Sequence, residues 1–423
     1  MDKNEDIKSK SAETGRITVK EYIASLGPGA IMAASIIGPG TVTTASVQGA
    51  SYGFTCVWLI LIACIIAYFF QEPGSRVAIG KGVDIFTGVR ENMGKRMSSF
   101  LYIVILIGSI AFQAGNIMGA NMALTYFFPG SSTMMWTIII SIVGFSIAWT
   151  NKYSIIENIN QILIVMMVVA FVVTAVSSGP SISDFFTQGF AFKIPGGNAT
   201  LALSLLATTV CPNLVLGFAI FTLEKYPNPL NRKRTIKMSN FGLGFNMVIT
   251  FLITTAIVVC SATVLHPLNI KIASAGDMAG QLVPLLGRFA GVFFSLGLFA
   301  AAFSSTLYHI SLHGRILPRA YGLDPDLKAK HNRLITLVIV IVPIIIIAIA
   351  GSSPVQLIIT AQALNGIALP LVFIICWRLT SMKKFMGEYV NTRVQNIIFG
   401  ATTLLTIVFG INAIRGVILK LIG

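Results

Sequence analysis

Long apolar stretches separated by short charged segments dominate the chain. Eleven such stretches can be counted, at roughly 25–49, 53–75, 98–128, 133–150, 155–178, 199–223, 239–264, 284–312, 333–351, 354–379 and 395–420. Most contain about 20 residues, the length an α-helix needs to cross a hydrocarbon layer of about 30 Å. The pattern predicts an all-α membrane protein with eleven transmembrane helices, and we number these spans 1 to 11 in chain order.

The composition excludes most soluble classes of protein. Hydrophobic residues make up 55% of the chain and charged residues 11%, whereas about 25% is usual for charged residues in a soluble domain. The formal net charge of +15 does not indicate nucleic-acid binding, because the lysines and arginines lie between spans. No nucleotide-binding loop, metal-ligand cluster or nucleophile–base pair is recognisable, so we expect neither an enzyme nor a bound cofactor.

The basic residues predict the orientation. With the N-terminus in the cytoplasm, twenty-five of the thirty lysines and arginines fall on the cytoplasmic side, the exceptions being Lys193, Lys271, Arg288, Arg415 and Lys420. The positive-inside rule favours this orientation, and an odd number of spans then puts the C-terminus on the outer side. We expect the membrane to be a bacterial-type plasma (inner) membrane. We expect a cytoplasmic tail over residues 1–22 and one transmembrane domain over 23–423.

Two of the spans are interrupted. Span 1 contains Gly38-Pro39-Gly40-Thr41, and span 6 contains Cys211-Pro212-Asn213. Proline removes a backbone donor and clashes with the preceding turn, and the two prolines are 173 residues apart, each opening a block of five spans. Paired interruptions are typical of inverted-repeat transporters with a site near the bilayer midplane. The repeats would cover about 25–178 and 199–379, with an extra helix at about 395–420.

Several motifs resemble the Nramp divalent-metal transporters. They are the stretch from Leu26 through Gly38-Pro39-Gly40-Thr41 to Gly53, the segment Gln71–Asp84, the eighth-span stretch Gly297–Thr306, and the tenth-span stretch Leu357–Leu371 followed by Met386-Gly387 and Asn391. The resemblance implies the LeuT-type fold, with two inverted five-helix repeats plus one span. It also implies alternating access around spans 1 and 6, both broken at midplane.

The chain departs from this family at the metal site. The resemblance implies an Asp and an Asn flanking Pro-Gly in span 1, but Gly38 and Thr41 stand there. It implies a Met before Pro-His in span 6, but Cys211 and Asn213 stand there. Gln362 matches the glutamine of span 10.

The acids that the family carries in span 3 are also missing. Their positions are occupied by Gln113 and Asn116, and each of the fifteen acidic residues falls in a tail, in a loop or at a span end. Divalent ions are usually held by anionic oxygen or soft sulfur. We therefore expect no metal site or, failing that, one that uses Cys211 and Gln362.

Half-helix N-termini and neutral polar side chains suggest another kind of substrate. Exposed N–H groups at such termini bind carboxylates and small oxyanions. We expect substrate binding by Gly38, Gly40, Thr41, Thr208, Thr209, Cys211, Asn213 and Gln362. The favoured hypothesis is a secondary transporter for a small anionic or zwitterionic solute, such as bicarbonate, a carboxylate or an amino acid. Two alternatives stay open, a transporter of Mn²⁺ or hydrated Mg²⁺ and a transport-dead sensor.

Other roles are open for several of these residues. The threonine hydroxyls can bond to their own helices, and Gln113 and Asn116 can line the translocation path or hold helices together. His309 is a third candidate for that path, and with His313 it is the only candidate for a proton relay; without one, passive uniport is open. The partners expected are a small solute and the lipid bilayer, with no nucleic acid, and the oligomeric state is open, a monomer included.

Overall fold

The computed structural model describes residues 17–193, 205, 208–270, 272, 278, 288–350, 357–358, 361 and 368–422. Within this part of the chain the regular structure is helical and no β-strand occurs. The α-helices, in chain order, are α1 (Val19–Ala24), α2 (Leu26–Ile36), α3 (Pro39–Tyr52), α4 (Val57–Lys81), α5 (Ile85–Met93), α6 (Lys95–Phe127), α7 (Thr133–Trp149), α8 (Tyr153–Ser177), α9 (Ile182–Gly189), α10 (Asn213–Lys225), α11 (Arg232–Val264), α12 (Arg288–Tyr321), α13 (Lys330–Ala350), α14 (Leu369–Ser381), α15 (Lys383–Met386) and α16 (Arg393–Ile422).

The helices follow the predicted spans closely. Spans 2, 3, 4, 5, 7, 8, 9 and 11 correspond to α4, α6, α7, α8, α11, α12, α13 and α16. Span 1 is divided into α2 and α3, α10 is the second half of span 6, and α14 is the second half of span 10. The number eleven stays a prediction, because parts of spans 6, 8 and 10 lie outside the described residues.

Six helical stretches of the described chain are long and apolar enough to cross a membrane. They are Pro39–Lys81, Lys95–Phe127, Tyr153–Ser177, Arg232–Val264, Gly291–Tyr321 and Lys330–Ile349. Helix α11 has 33 residues, and at about 1.5 Å per residue it is about 50 Å long. It therefore extends beyond a hydrocarbon core of about 30 Å, which is why it begins before the predicted span.

Four short helices, α1, α5, α9 and α15, fall in segments that were expected to be a tail or loops. Helix α5 begins after Asp84, whose carboxylate accepts the N–H groups of Phe86 and Thr87 at 2.8 and 3.2 Å. Helix α1 begins with a capping box in which Thr18 and Glu21 bond reciprocally, and it crosses the predicted boundary at residue 22. All four helices are too short and too polar to be predicted as membrane spans, so a search for long apolar stretches does not find them.

The first half of span 1 lies backbone to backbone against α11. A side chain added at Gly242 would collide with the carbonyl of Ser25, and a Cβ at Gly29 would lie 2.7 Å from the Gly242 oxygen. Asn246 Nδ2 donates to Leu26 O at 3.1 Å and to Gly242 O at 2.7 Å. Glycine is required here by this close approach, since the obstructing atoms belong to the backbone and cannot rotate away.

We expect Gly242→Ala to lower the melting temperature in detergent, because overpacking against a fixed backbone costs about 1–3 kcal/mol. Gly244→Ala, two residues further along α11, is the matched control. Its added Cβ would meet only the Tyr68 ring, at 3.6 Å, an ordinary contact. Equal melting temperatures for the two variants would contradict this account of the packing.

Candidate substrate-binding site

The first helix break lies between α2 and α3. Helix α2 closes with Ile37 N donating to Ala33 O at 2.9 Å, and α3 opens with Val42 N donating to Gly38 O at 3.1 Å. Gly38 is extended (φ −85°, ψ 179°) and Pro39 is the first residue of α3. Proline has no N–H, and the next two amides of a helix have no intrahelical acceptor. The break therefore exposes carbonyls on one side and amides on the other.

Hydroxyl groups satisfy the carbonyls at the end of α2. Thr41 Oγ1 donates to Ile36 O at 2.6 Å, across the break. From α12, Ser304 Oγ donates to Ala34 O at 2.9 Å and Ser305 Oγ to Ser35 O at 3.1 Å. A hydroxyl has one proton and two lone pairs, so each of these groups has only acceptor capacity left for a ligand.

The second break lies before α10. Pro212 precedes the helix, and Leu214 N donates to Cys211 O at 3.1 Å. Thr208 and Thr209 both donate their hydroxyl protons to Leu205 O, at 2.9 and 3.2 Å. These two threonines bond to their own helical turn, which was the open alternative for threonines in membrane helices. Cys211 is buried.

Asn213, the first residue of α10, contacts two other helices. Its Nδ2 donates to Ser109 Oγ of α6 at 2.8 Å and lies 3.2 Å from His309 Nε2 of α12. Its backbone oxygen accepts a hydrogen bond from Tyr308 at 2.8 Å. The side chain is fully buried, and Oδ1 has no hydrogen-bond partner among the described residues. Both amide protons are used while the amide oxygen is left as an acceptor.

Helix α6 lies against the first break. The Asn116 amide donates to Gln113 Oε1, and Gln113 donates to Thr306 O of α12, both at 3.4 Å. A Cβ at residue 38 would lie 2.8 Å from Ser305 Oγ and 3.6 Å from Asn116 Oδ1. Gln113 thus links α6 to α12, while Asn116 also presents an oxygen towards Gly38.

The structure brings most of the predicted site residues to two neighbouring places, which α12 connects. Gly38, Thr41 and Asn116 lie around the first break, and Asn213 and His309 meet at the second. Gln362 lies outside the described residues. Sequence reasoning missed Ser109, Ser304, Ser305 and Tyr308. Two signals could have suggested Ser305: the eighth-span motif Gly297–Thr306 contains it, and a spacing of four places it on the same face of α12 as His309.

Charged groups lie away from both breaks. Glu157 pairs with Lys225 at 2.8 Å, Glu224 with Arg315 at 2.7 Å and Asp84 with Arg319 at 3.3 Å. These pairs join the C-terminal end of α10 to α8 and α12, and α12 to the segment before α5, on the side that carries most of the lysines and arginines (the basic side). Within the described residues no group of three or more His, Cys, Asp and Glu side chains could hold a metal. A ligand at the breaks would meet neutral groups.

Comparisons with known proteins agree with the sequence motifs. The family described as "Natural resistance-associated macrophage protein-like" (Nramp) matches residues 29–415. The "Divalent metal cation transporter MntH" of Caldanaerobacter subterraneus subsp. tengcongensis is 27% identical over 388 residues, 90% of either chain. The MntH of Listeria monocytogenes serotype 4a is 28% identical over 405 residues, 93% of this chain and 89% of that one.

A solved structure gives the fold. The Eremococcus coleocola manganese transporter, in complex with an aromatic bis-isothiourea substituted compound, superimposes with a TM-score of 0.77 at 18% identity, over 93% of this chain and 87% of that chain. The LeuT-type, all-α membrane fold is therefore confirmed. Proteins of this family are transporters and not enzymes, as the sequence predicted. The chain belongs to the Nramp family.

Proposed function

We propose that this protein is a secondary transporter that carries a divalent metal ion, Mn²⁺ or partly hydrated Mg²⁺, by alternating access through the site between the two helix breaks. One observation carries the proposal. The hydroxyl proton of Thr41 and the amide protons of Asn213 are donated within the protein, and among the described residues the amide oxygen of Asn213 is left as an acceptor. Acceptors coordinate cations, whereas an anion needs donors.

The expectation of an anionic or zwitterionic solute is not supported. It rested on backbone N–H groups at the half-helix N-termini and on neutral side chains as further donors and acceptors. Of these side chains, Thr41, Thr208 and Thr209 donate to backbone carbonyls, and Asn213 donates to Ser109. Among the described residues near the first break, the donors that remain for an anion are the backbone N–H groups at the start of α3 and the hydroxyls of Ser35 and Thr43. The relatives, moreover, are named for divalent metals.

The neutral ligands affect how the ion would be held. None of the candidate ligands is a carboxylate. They are Thr41, Asn213, Asn116, Cys211 and Gln362. A divalent ion surrounded by neutral groups gains less Coulomb energy than one beside a carboxylate. Mg²⁺ in particular gives up its water reluctantly. We therefore infer that the ion binds weakly and keeps several of its water ligands.

We infer that the ion pairs of the basic side close the inner end of the path. Glu157 and Lys225 hold α10 to α8, while Glu224 and Arg315 hold α10 to α12. Release towards this side would require these helices to separate. The bias of Lys and Arg supports a cytoplasmic basic side and N-terminus and an extracytoplasmic C-terminus. The paired breaks at Pro39 and Pro212 support two inverted repeats.

Uptake into proteoliposomes tests the proposal, with Mn²⁺, Mg²⁺, bicarbonate and amino acids assayed in parallel. We expect uptake of a divalent ion, reduced by about tenfold or more in Asn213→Leu, because a change of about 1.4 kcal/mol in binding is tenfold. Thr41→Val should also reduce uptake, while Thr41→Ser keeps the hydroxyl and the activity.

Thr402→Val is the matched control for these variants. Thr402 lies in α16 and donates to Ile398 O at 2.6 Å. The variant therefore loses a hydrogen bond like that of Thr41, but away from the site. Uptake of bicarbonate or an amino acid without a divalent ion would contradict the proposal. Wild-type uptake by Asn213→Leu would contradict the site.

A restored carboxylate provides a second test. We expect Gly38→Asp to bind Mn²⁺ at least about tenfold more tightly than Gly38→Asn by calorimetry, since a unit charge next to the ion adds Coulomb energy. Ser305 Oγ, 2.8 Å from the added Cβ, must rotate in both variants. Without metal, Gly38→Asp should melt at a lower temperature than Gly38→Asn, because a buried unpaired charge is unfavourable; added Mn²⁺ should reverse this order.

Gly38→Asn is the control for shape without charge. Equal Mn²⁺ affinity in the two variants would mean that residue 38 does not face the ion.

A further inference from the structure

The side-chain amide of Asn213 has two orientations, and they offer a ligand opposite polarity. With Nδ2 turned towards α6 and α12, the oxygen is free to meet a cation. With the amide turned over, an N–H₂ group would face the ligand instead and would repel it. Something in the protein must select one orientation, because a fully buried side chain cannot rely on bulk water to satisfy either end.

The ring of His309 makes this selection through a chain of hydrogen bonds. Its Nδ1 lies 2.9 Å from the backbone oxygen of Ser305, which can only accept, so Nδ1 carries the proton. In a neutral imidazole the other nitrogen is then an acceptor. Nε2, 3.2 Å from Asn213 Nδ2, therefore requires the N–H₂ end of the amide.

The second amide proton is used as well. It is donated to Ser109 Oγ at 2.8 Å. Because the amide group is planar, its oxygen points away from both partners, and it is this buried oxygen that has no partner among the described residues. The chain of hydrogen bonds thus runs from the backbone carbonyl of Ser305 through the His309 ring to the Asn213 amide, whose oxygen is left as an acceptor beside the second break.

We propose that His309 is a positioning residue, which fixes the Asn213 amide with its oxygen towards the transported cation and so sets the sign of charge that the site accepts. This rests on the proposed function for the identity of the ligand. His309 itself does not contact the ion. Tyr308, the neighbouring residue, holds the backbone oxygen of Asn213, so α12 fixes the position of this residue and His309 fixes its orientation.

Calorimetry of Mn²⁺ binding to the full-length protein tests the proposal with two variants. His309→Leu removes the acceptor, and we expect affinity to fall by about tenfold or more. His309→Gln offers an amide oxygen to Asn213 and an N–H₂ to Ser305 O, and we expect affinity within about threefold of wild type. His313→Leu is the matched control. It lies one turn further along α12, is fully buried and has no hydrogen bond to its ring nitrogens within the described part of the chain.

Each outcome separates the two proposals. Rescue by glutamine with loss in leucine supports the positioning role, since a merely structural ring would be replaced equally badly by both. Wild-type affinity in His309→Leu, or equal loss in both variants, overturns it while leaving metal transport intact. Absence of Mn²⁺ and Mg²⁺ binding in the wild type would contradict the proposed function instead.

A second measurement needs no metal. In protein labelled with ¹⁵N-histidine, the pair of ring signals that disappears in His309→Gln should have the pattern of the Nδ1–H tautomer. The pattern of the Nε2–H tautomer or of a doubly protonated ring would overturn the positioning proposal, whatever the substrate is.

Discussion

A helix that ends inside hydrocarbon leaves peptide groups that must find partners within the protein. In this chain the carbonyls at the end of α2 are satisfied by the hydroxyls of Thr41, Ser304 and Ser305. That requirement determines the chemistry of the site. Each hydroxyl that donates to one of these carbonyls keeps only its lone pairs for another contact, so the hydrogen bonds that satisfy the broken helix also leave oxygen acceptors beside the break.

Helix α12 connects the two breaks through polar residues that lie one helical turn apart. Ser305 bonds to α2, while Tyr308 and His309 bond to the first residue of α10. The carbonyl of Ser305 is also the acceptor for His309, so the same residue takes part in both contacts. A movement of α2 or α10 during alternating access must therefore break or carry along hydrogen bonds to α12. These hydrogen bonds would couple a movement of the helices at one break to a movement at the other.

The sequence predicts the breaks but not the direction of the hydrogen bonds around them. Gly38-Pro39 and Pro212 identify the interruptions because proline and glycine act on the local backbone. Whether Thr41 donates to a substrate or to Ile36 depends on a contact across the break, which spacing along the chain does not determine. The same holds for Asn213, whose partners Ser109 and His309 are 104 and 96 residues away. The anionic expectation is not supported for this reason: it counted the Thr41 hydroxyl and the Asn213 amide as donors to a substrate, whereas both donate within the protein.

The resemblance to the Nramp family implies an acid where Gly38 stands, and the close approach of Ser305 is consistent with the absence of a side chain at this position. Where a side chain at residue 38 would begin, Ser305 Oγ lies 2.8 Å away, so the space of a carboxylate is partly filled by a group that stabilises α2. In the proposed site, which offers no anion among the described residues, a divalent ion would be poorly solvated by the protein, and water would have to supply some of its ligands. Such a site distinguishes ions by their hydrated size and the number of oxygens they require more than by their softness. A glycine at residue 38 would therefore change the kind of selectivity of the proposed transporter, and the orientation of Asn213 would be decisive, because the described site contains no carboxylate to compensate for a reversed amide.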